Sequence, residues 1–407
     1  MTPTSFQPVA PGERIALLDV LRGFALLGIL LMNMEAFVGP LNAALTGVDP
    51  ALAGADRWAD ALVYVLVQGK FYTLFSLLFG MGFAVMAQRA GQAGRPFAGF
   101  YVRRSLGLLA IGLLHALLVW SGDVLVSYAL LAMLLLAVRS MPTSWLPVAA
   151  IVVYLCAPAM VMAYGALGSL MQADPSSAAE WQRTMARIGQ DAAAAVDAQR
   201  AAYGAGRYAQ AVLQRLHDLG ETLRGLTING PAMFGMFLLG GWFVRSGAIQ
   251  APERFARLFA ALRWGAWPLG LAAMLASLAL EPYMDPGRLD LRLSSAFALS
   301  SVAGLLMCLG YLAWVARWRG ALAWLAPAGR MALSNYVLQS LLCTWIFYGY
   351  GLGYFERLPR AWQLPFATGL FLLQVAASAW WLRRFRFGPL EWAWRAFTYL
   401  QWPPLRR

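Results

Sequence analysis

Lysine is nearly missing from this 407-residue chain: 31 of its 32 basic residues are arginine, and Lys70 stands alone. Charge of either sign is scarce, at 13% of residues, where a soluble domain carries ~25%. That composition argues against a soluble enzyme. Histidine occurs only as His115 and His217, and cysteine only as Cys156, Cys308 and Cys343. There is no C-x-x-C pair or Cys/His cluster, so no disulfide framework and no metal site is written in the sequence. The cysteines all fall inside apolar runs and read as packing residues. A Rossmann fingerprint, a P-loop and a haem motif are lacking too, so no cofactor is bound by motif. The alternating strands of a β-barrel are also lacking.

What the chain has in abundance is apolar sequence, 60% of residues, with 13% aromatic, which excludes disorder. A bilayer-spanning helix takes ~20 apolar residues, and hydropathy marks ten such stretches. They run over 15–38, 64–88, 101–121, 122–140, 145–171, 225–245, 258–281, 293–316, 326–353 and 362–382. The expected fold is all-α: a polytopic membrane helical bundle of about ten transmembrane helices. Residues 385–400 mix arginine and tryptophan at helical spacing, which predicts an interfacial helix on the membrane surface. The spans divide into a five-helix half over 1–171 and a second over 225–407. Between them, 172–224 is the one long polar segment, alanine-rich around 180–216. Alanine favours helix, so two short amphipathic helices are expected, either connecting the halves or covering a substrate cleft. No cleavable signal peptide is expected, because the first apolar run carries Asp19 and Arg22 and is too long for a signal core.

The net charge of +13 looks like a nucleic-acid signal until the positions are read. With the N-terminus in the cytoplasm and sides alternating, the inner segments hold 18 Arg and three acidic residues, the outer ones 11 Arg and 13 acidic residues. Inside is then +15 and outside −2, and the positive-inside rule selects cytoplasmic N- and C-termini in a bacterial inner membrane. Nucleic acid is not an expected partner. The expected partners are membrane lipids, a small molecule or lipid within the bundle, and a second copy of the chain as a homodimer.

Six charged residues remain inside the spans: Asp19, Arg22, Glu35, Lys70, Asp123 and Arg330. Each costs ~2.5–3.5 kcal/mol at membrane depth on the insertion scale, so such groups pair or line a wet cavity. Asp19 and Arg22 share one helix face, either as a structural ion pair or as an arginine presented to a phosphate. Asn33, three turns on, offers two amide hydrogens to a ligand carbonyl or to another helix. Glu35 lies close to outer water. Lys70 is accounted for by snorkelling toward the outer interface, or it binds substrate. The glycines at 80 and 82 read as close-approach points between helices. His115 precedes, and Asp123 follows, a Ser-Gly turn, so a helical hairpin folds them together. An Asp–His pair holds one imidazole tautomer for base work. His217 reads as a solvated surface residue. Arg330, Ser334, Asn335 and Gln339 form a polar stripe on an apolar helix, either a binding groove or interhelical glue.

Five segments carry a family resemblance: LLDVLRGFALLGILLMN (17–33), GKFYTLFSLLFGMG (69–82), HALLVWSGDVLVSYAL (115–130), GRMALSNYVLQSLLCTWIFY (329–348) and FGPLEWAWR (387–395). They resemble the bacterial YeiB-like membrane proteins over essentially the whole chain, the last two matching that family's C-terminal domain of unknown function. The first half is also distantly similar to transmembrane acyltransferases related to heparan-alpha-glucosaminide N-acetyltransferase. The shared pattern is D-x-x-R-G, here Asp19, Arg22 and Gly23, followed by Asn33. That resemblance implies transfer of an acyl group from cytoplasmic acyl-CoA to an acceptor across the membrane. The catalytic histidine of those enzymes follows the Asn closely, and no histidine lies between Asn33 and His115 here.

Two functions are therefore expected to compete. In the first, an acyltransferase, Arg22 holds donor phosphate, Asn33 polarises a carbonyl, and His115, oriented by Asp123, is the base. In the second, the same residues line the cavity of a small-molecule or lipid transporter or binding protein with no covalent chemistry.

Overall fold

The computed structural model describes residues 15–94 and 96–407, and among them the secondary structure is helical. Two isolated bridges, Gly47 with Tyr283 and Phe385 with Arg406, are its β-type pairings. The helices are α1 (Ala16–Val38), α2 (Gly54–Leu66), α3 (Lys70–Gln92), α4 (Phe97–Leu118), α5 (Leu125–Ala137), α6 (Leu146–Ala173) and α7 (Pro175–Gln199). There follow α8 (Tyr208–Arg245), α9 (Ala256–Ala261), α10 (Trp267–Leu280), α11 (Leu291–Arg317), α12 (Ala326–Arg330), α13 (Ala332–Phe347), α14 (Arg360–Arg384) and α15 (Pro389–Tyr399). Among the described residues eight helical stretches are long and apolar enough to cross a membrane, and α5 and α13 are shorter apolar helices. Eight of the ten hydropathic stretches fall on the former and two on the latter, so about eight spanning helices replace the ten expected, and the protein is an all-α, polytopic membrane bundle.

The central element is α1, whose Leu21, Ala25, Leu26 and Leu30 are fully buried beneath α3, α12, α13 and α14. At the periphery α6 and α10 turn leucines and valines outward, among them Val152, Leu167, Leu269 and Leu275. With no water in the bilayer core, that outward apolar face contacts lipid chains. The α3–α8 crossing is closer than side chains allow: a Cβ on Gly80 would sit 2.1 Å from the Phe237 carbonyl oxygen, and one on Gly240 2.1 Å from that of Leu77. The sequence reading of Gly80 as a close-approach point is realised there.

The structure departs from the sequence reading in four places, each with a physical cause. The span expected at 64–88 is interrupted at Gly69, whose φ of +80° favours glycine, and α3 starts at Lys70. Before it, the amphipathic α2 docks on α14 and α1 through charge: Arg360 Nε lies 2.8 Å from Asp60 Oδ1, and its Nη2 3.5 Å from Glu35 Oε2. Glu35 is therefore paired inside the bundle rather than left to water. The span expected at 326–353 is broken at Met331 into α12 and α13. Finally, the two short helices expected over 172–224 are the 25-residue α7 and the first part of the 38-residue α8, which runs unbroken into the bilayer.

At ~1.5 Å per residue α8 is about 57 Å long, well beyond the ~30 Å hydrocarbon core. Its projecting end is fixed by a buried polar knot. Asp218 accepts from Tyr203 Oη (2.6 Å), Gln199 Nε2 (2.9 Å) and Gln214 Nε2 (2.9 Å). Arg215, fully buried, sits among the rings of Tyr203, Tyr208, Tyr348 and Tyr350 and donates to Tyr350 Oη at 2.6 Å. His217 lies on the exposed side, 3.8 Å from Glu221.

Candidate functional site

A cavity of about 1180 Å³ runs through the bundle along α1 and α3. At one pole it is lined by Asp19, Arg22, Arg89, Arg104, Arg330, Glu391 and Arg395, and at the other by Thr46, Gln68, Asp285 and Arg288. The wall between is mostly apolar, with Ile29, Met32, Phe75, Leu78 and Phe79, interrupted by Asn33, Lys70 and Asp123.

The arginine pole is assembled from five helices, Arg330 coming from α12. Asp19 and Arg22 come from α1, bonded Nη1 to Oδ1 at 3.3 Å, and both also open into the cavity. Arg89 comes from α3 and Arg104 from α4. The last contribution is α15, which closes this end: Trp394 Nε1 donates to the Arg104 carbonyl oxygen at 2.7 Å, while the Arg104 guanidinium stacks 3.6 Å above the Trp394 ring. Arg395 and Arg22 lie within electrostatic reach of Arg104. Five arginines against Asp19 and Glu391 leave a formal excess of three positive charges on this lining. Arginine presents a planar fork suited to bidentate phosphate or carboxylate recognition.

The broken helix serves the same pole. A Cβ on Gly329 would lie 1.9 Å from the Asp19 carbonyl oxygen, and one on Gly23 2.3 Å from that of Leu325. Backbone contact between α12 and α1 is thus what Gly23 of the D-x-x-R-G pattern permits. Breaking the helix at Met331 frees N–H groups at the start of α13, which need partners where water is excluded. Glu391 supplies them: its Oε1 accepts from the N–H of Leu333 (2.8 Å) and of Ser334 (3.1 Å), and its Oε2 from Ser334 Oγ (2.5 Å). Burial pushes the Glu391 carboxyl above its usual range, against the pull of these donors.

Farther along, the α4–α5 hairpin brings His115 and Asp123 together, with Nδ1 2.8 Å from Oδ1. Asp123 Oδ2 accepts the Val126 N–H at 2.7 Å, tying the carboxylate to the start of α5. Asp123 lines the cavity; His115, 2% exposed, lies behind it with its ring centroid 5.1 Å from that of Tyr336. With Nδ1 committed to the carboxylate, His115 Nε2 is buried without a hydrogen-bond partner among the described residues.

Of the residues singled out from sequence, Asp19, Arg22, Asn33, Lys70, Asp123 and Arg330 line one cavity, and His115 lies behind Asp123. The three on α13, from the polar stripe, are engaged elsewhere. Ser334 bonds Glu391, Asn335 Nδ2 donates to Ala328 O (3.2 Å) and Ser378 Oγ (2.9 Å), and Gln339 Nε2 donates to Gln374 Oε1 (2.8 Å). Lys70 does not snorkel. It is 1% exposed, and its Nζ donates to the Tyr64 carbonyl oxygen at 2.8 Å and approaches Met274 Sδ at 3.1 Å. Because α2 packs over it, the amine has no path to the interface. Sequence reasoning missed Arg89, Arg104 and Arg395 as cavity residues, having counted them only as topology charges. Trp394 and Glu391, both inside the FGPLEWAWR segment, were the available signal.

A family model described as "Protein of unknown function (DUF418)" matches residues 243–401. The chain is 33% identical to the uncharacterized protein YxaH of Bacillus subtilis, over 99% of each chain. It is 32% identical to the uncharacterized protein YeiB of Escherichia coli, over 95% of this chain and 96% of that one. An uncharacterized 39.9 kDa protein from the amylase 3' region of Bacillus acidopullulyticus is 29% identical over 96% of each. No solved structure matches. Spanning helices, cavity and similarity along the whole chain converge: this protein belongs to the YeiB/DUF418 family of multi-pass bacterial membrane proteins.

Proposed function

We propose that this protein is a membrane acyltransferase. It would take an acyl group from a CoA-type donor held at the arginine pole and give it to a sugar, amine or lipid acceptor entering from the opposite pole. The observation that carries the reading is the single cavity joining an arginine-rich pole to Asn33 and the Asp123–His115 pair. The arginine excess of the segments at that pole supports placing it, with both termini, in the cytoplasm, where acyl-CoA is found.

In this reading Arg22, Arg104 and Arg395 neutralise donor phosphates, and the Asn33 amide donates to the thioester carbonyl as negative charge develops there. Asp123 keeps the Nδ1 proton of His115 in place, leaving Nε2 as the base. The acceptor oxygen or nitrogen attacks the thioester carbon and its proton passes to Nε2. The C–S bond then breaks, and the thiolate leaves with that proton, giving an ester or amide and free thiol. Since Nε2 is closed off behind Asp123, Trp120 or Tyr336 must shift for the acceptor to reach it. The test is turnover of radiolabelled acetyl-CoA by purified protein in lipid nanodiscs with candidate acceptors. Turnover that falls at least a hundredfold in His115→Ala, in line with loss of a general base, supports the reading; unchanged turnover removes His115 from catalysis.

The second reading, a transporter or binding protein, is favoured by one feature: the cavity lining reaches both poles, to Arg288 as well as Arg22. Acyl-CoA bound stoichiometrically and never consumed would decide for it.

A further inference from the structure

Lys70 stands apart from everything used above. It is a buried amine on the cavity wall, and among the described residues no carboxylate pairs with it. The acids of the lining are engaged elsewhere: Asp19 with Arg22, Asp123 with His115 and Val126 N–H, Glu391 with the start of α13, and Asp285 with the Gly287 N–H. The three N–H donors of the ammonium meet one carbonyl oxygen and one thioether, a weak acceptor. An isolated ammonium at membrane depth is expensive unless a counter-charge joins it. Tyr64, Tyr72 and Thr73 line the same cavity as Lys70, and the Lys70 amine lies 5.8 Å from the centroid of the Tyr64 ring.

The arginine pole cannot supply what Lys70 lacks. Arg22 reaches α3 at Gly82, where an added Cβ would lie 3.7 Å from its Nη2. Gly82 is twelve residues along α3 from Lys70, about 18 Å at ~1.5 Å per residue. A single phosphate or carboxylate cannot span that distance.

We infer that Lys70 forms a second anion-binding subsite, separate from the arginine pole, for a phosphate or carboxylate group entering the far half of the cavity. The inference does not depend on acyl transfer: a transporter or binding protein with this wall would select the same chemistry. If acyl transfer is the activity, the acceptor carries the anionic group. The anion comes either from a lipid headgroup or from a soluble molecule.

The single lysine makes the test specific. Protein in phosphatidylcholine nanodiscs is treated with formaldehyde and a mild borane reductant, and dimethylation of Lys70 is followed by peptide mass spectrometry. The arms add sodium acetate, inorganic phosphate, or phosphatidylglycerol in the disc. An anion held at ten times its dissociation constant should slow labelling about tenfold. Protection by phosphatidylglycerol alone identifies a headgroup, and protection by acetate or phosphate a soluble ligand. Protection should persist in Arg104→Gln, because the poles are separate. Labelling unchanged in all three arms overturns the proposal, as does a Lys70 that never reacts. Protection that disappears in Arg104→Gln overturns the claim of two sites.

Discussion

Replacing Glu391 by alanine removes the carboxylate that accepts from three donors at the break between α12 and α13: the N–H groups of Leu333 and Ser334 and the Ser334 hydroxyl. A hydrogen bond contributes ~0.5–1.5 kcal/mol net when neutral and ~1.5–3 kcal/mol when one partner is charged. Three coupled bonds at one helix start are not additive, and about 3 kcal/mol is the expected loss. With an unfolding entropy of ~2.1 cal/mol/K per residue, that is a fall in Tm of roughly 3–4 °C for a chain of this length. Tryptophan fluorescence during a thermal ramp of detergent-purified protein measures it, and Glu391→Gln should fall between wild type and alanine. Gly388→Ala provides an independent route to the same state, since its Cβ would lie 2.2 Å from Glu391 Oε2 and displace the carboxylate. Because both changes undo one contact, the double variant should be little worse than the more damaging single. A Tm of Glu391→Ala within 1 °C of wild type, in the range of an unimportant surface change, refutes the reasoning. So does full additivity with Gly388→Ala.

Two further outcomes follow from the same geometry. Asp60→Ala leaves the buried Arg360 with only Glu35, at 3.5 Å, as a charged partner, and it should cost ~3–5 kcal/mol. Asp60→Ala combined with Arg360→Met should cost less than Asp60→Ala alone, measured by the same thermal ramp. In a Cys156→Ser background, an impermeant maleimide added to intact cells should label His217→Cys and not Arg319→Cys. Both parent side chains are exposed, at opposite ends of the bundle, and the reverse pattern would invert the proposed orientation.

Hydropathy located the eight long spanning helices, and the shorter apolar α5 and α13, because the bilayer allows almost no other arrangement for ~20 apolar residues. It also allowed the α4–α5 hairpin to be read, since Ser121-Gly122 interrupts two apolar runs and fixes where His115 and Asp123 meet. What stayed hidden depended on side chains reaching between segments far apart in sequence. α2 was invisible as a helix because Asp56, Arg57 and Asp60 lower its hydropathy, and the partner that buries Asp60 is Arg360, 300 positions away. The break at Met331 leaves no mark on hydropathy; it arises from backbone contact of Gly329 with Asp19. Lys70 near a helix start looks ready to snorkel, and only the structure shows its amine held between Tyr64 of α2 and Met274 of α10. On one unbroken helix Ser334, Asn335 and Gln339 would share a face with Arg330, but the break at Met331 leaves Arg330 on α12, while α14 and α15 take up the other three. The arginines at 89, 104 and 395 were legible as charge and not as a site, because three separate segments bring them to one cavity pole.

The central claim is that one cavity holds an anionic acyl donor by its arginine pole and presents the acyl end to Asn33 and Asp123. A cryo-electron microscopy structure with a non-hydrolysable thioether analogue of acetyl-CoA tests it most directly. The account predicts phosphate density against Arg22, Arg104 and Arg395, with the pantetheine arm running along α1 toward Asn33. Phosphate density anywhere else, or an arginine pole without ligand at saturating analogue, would contradict it.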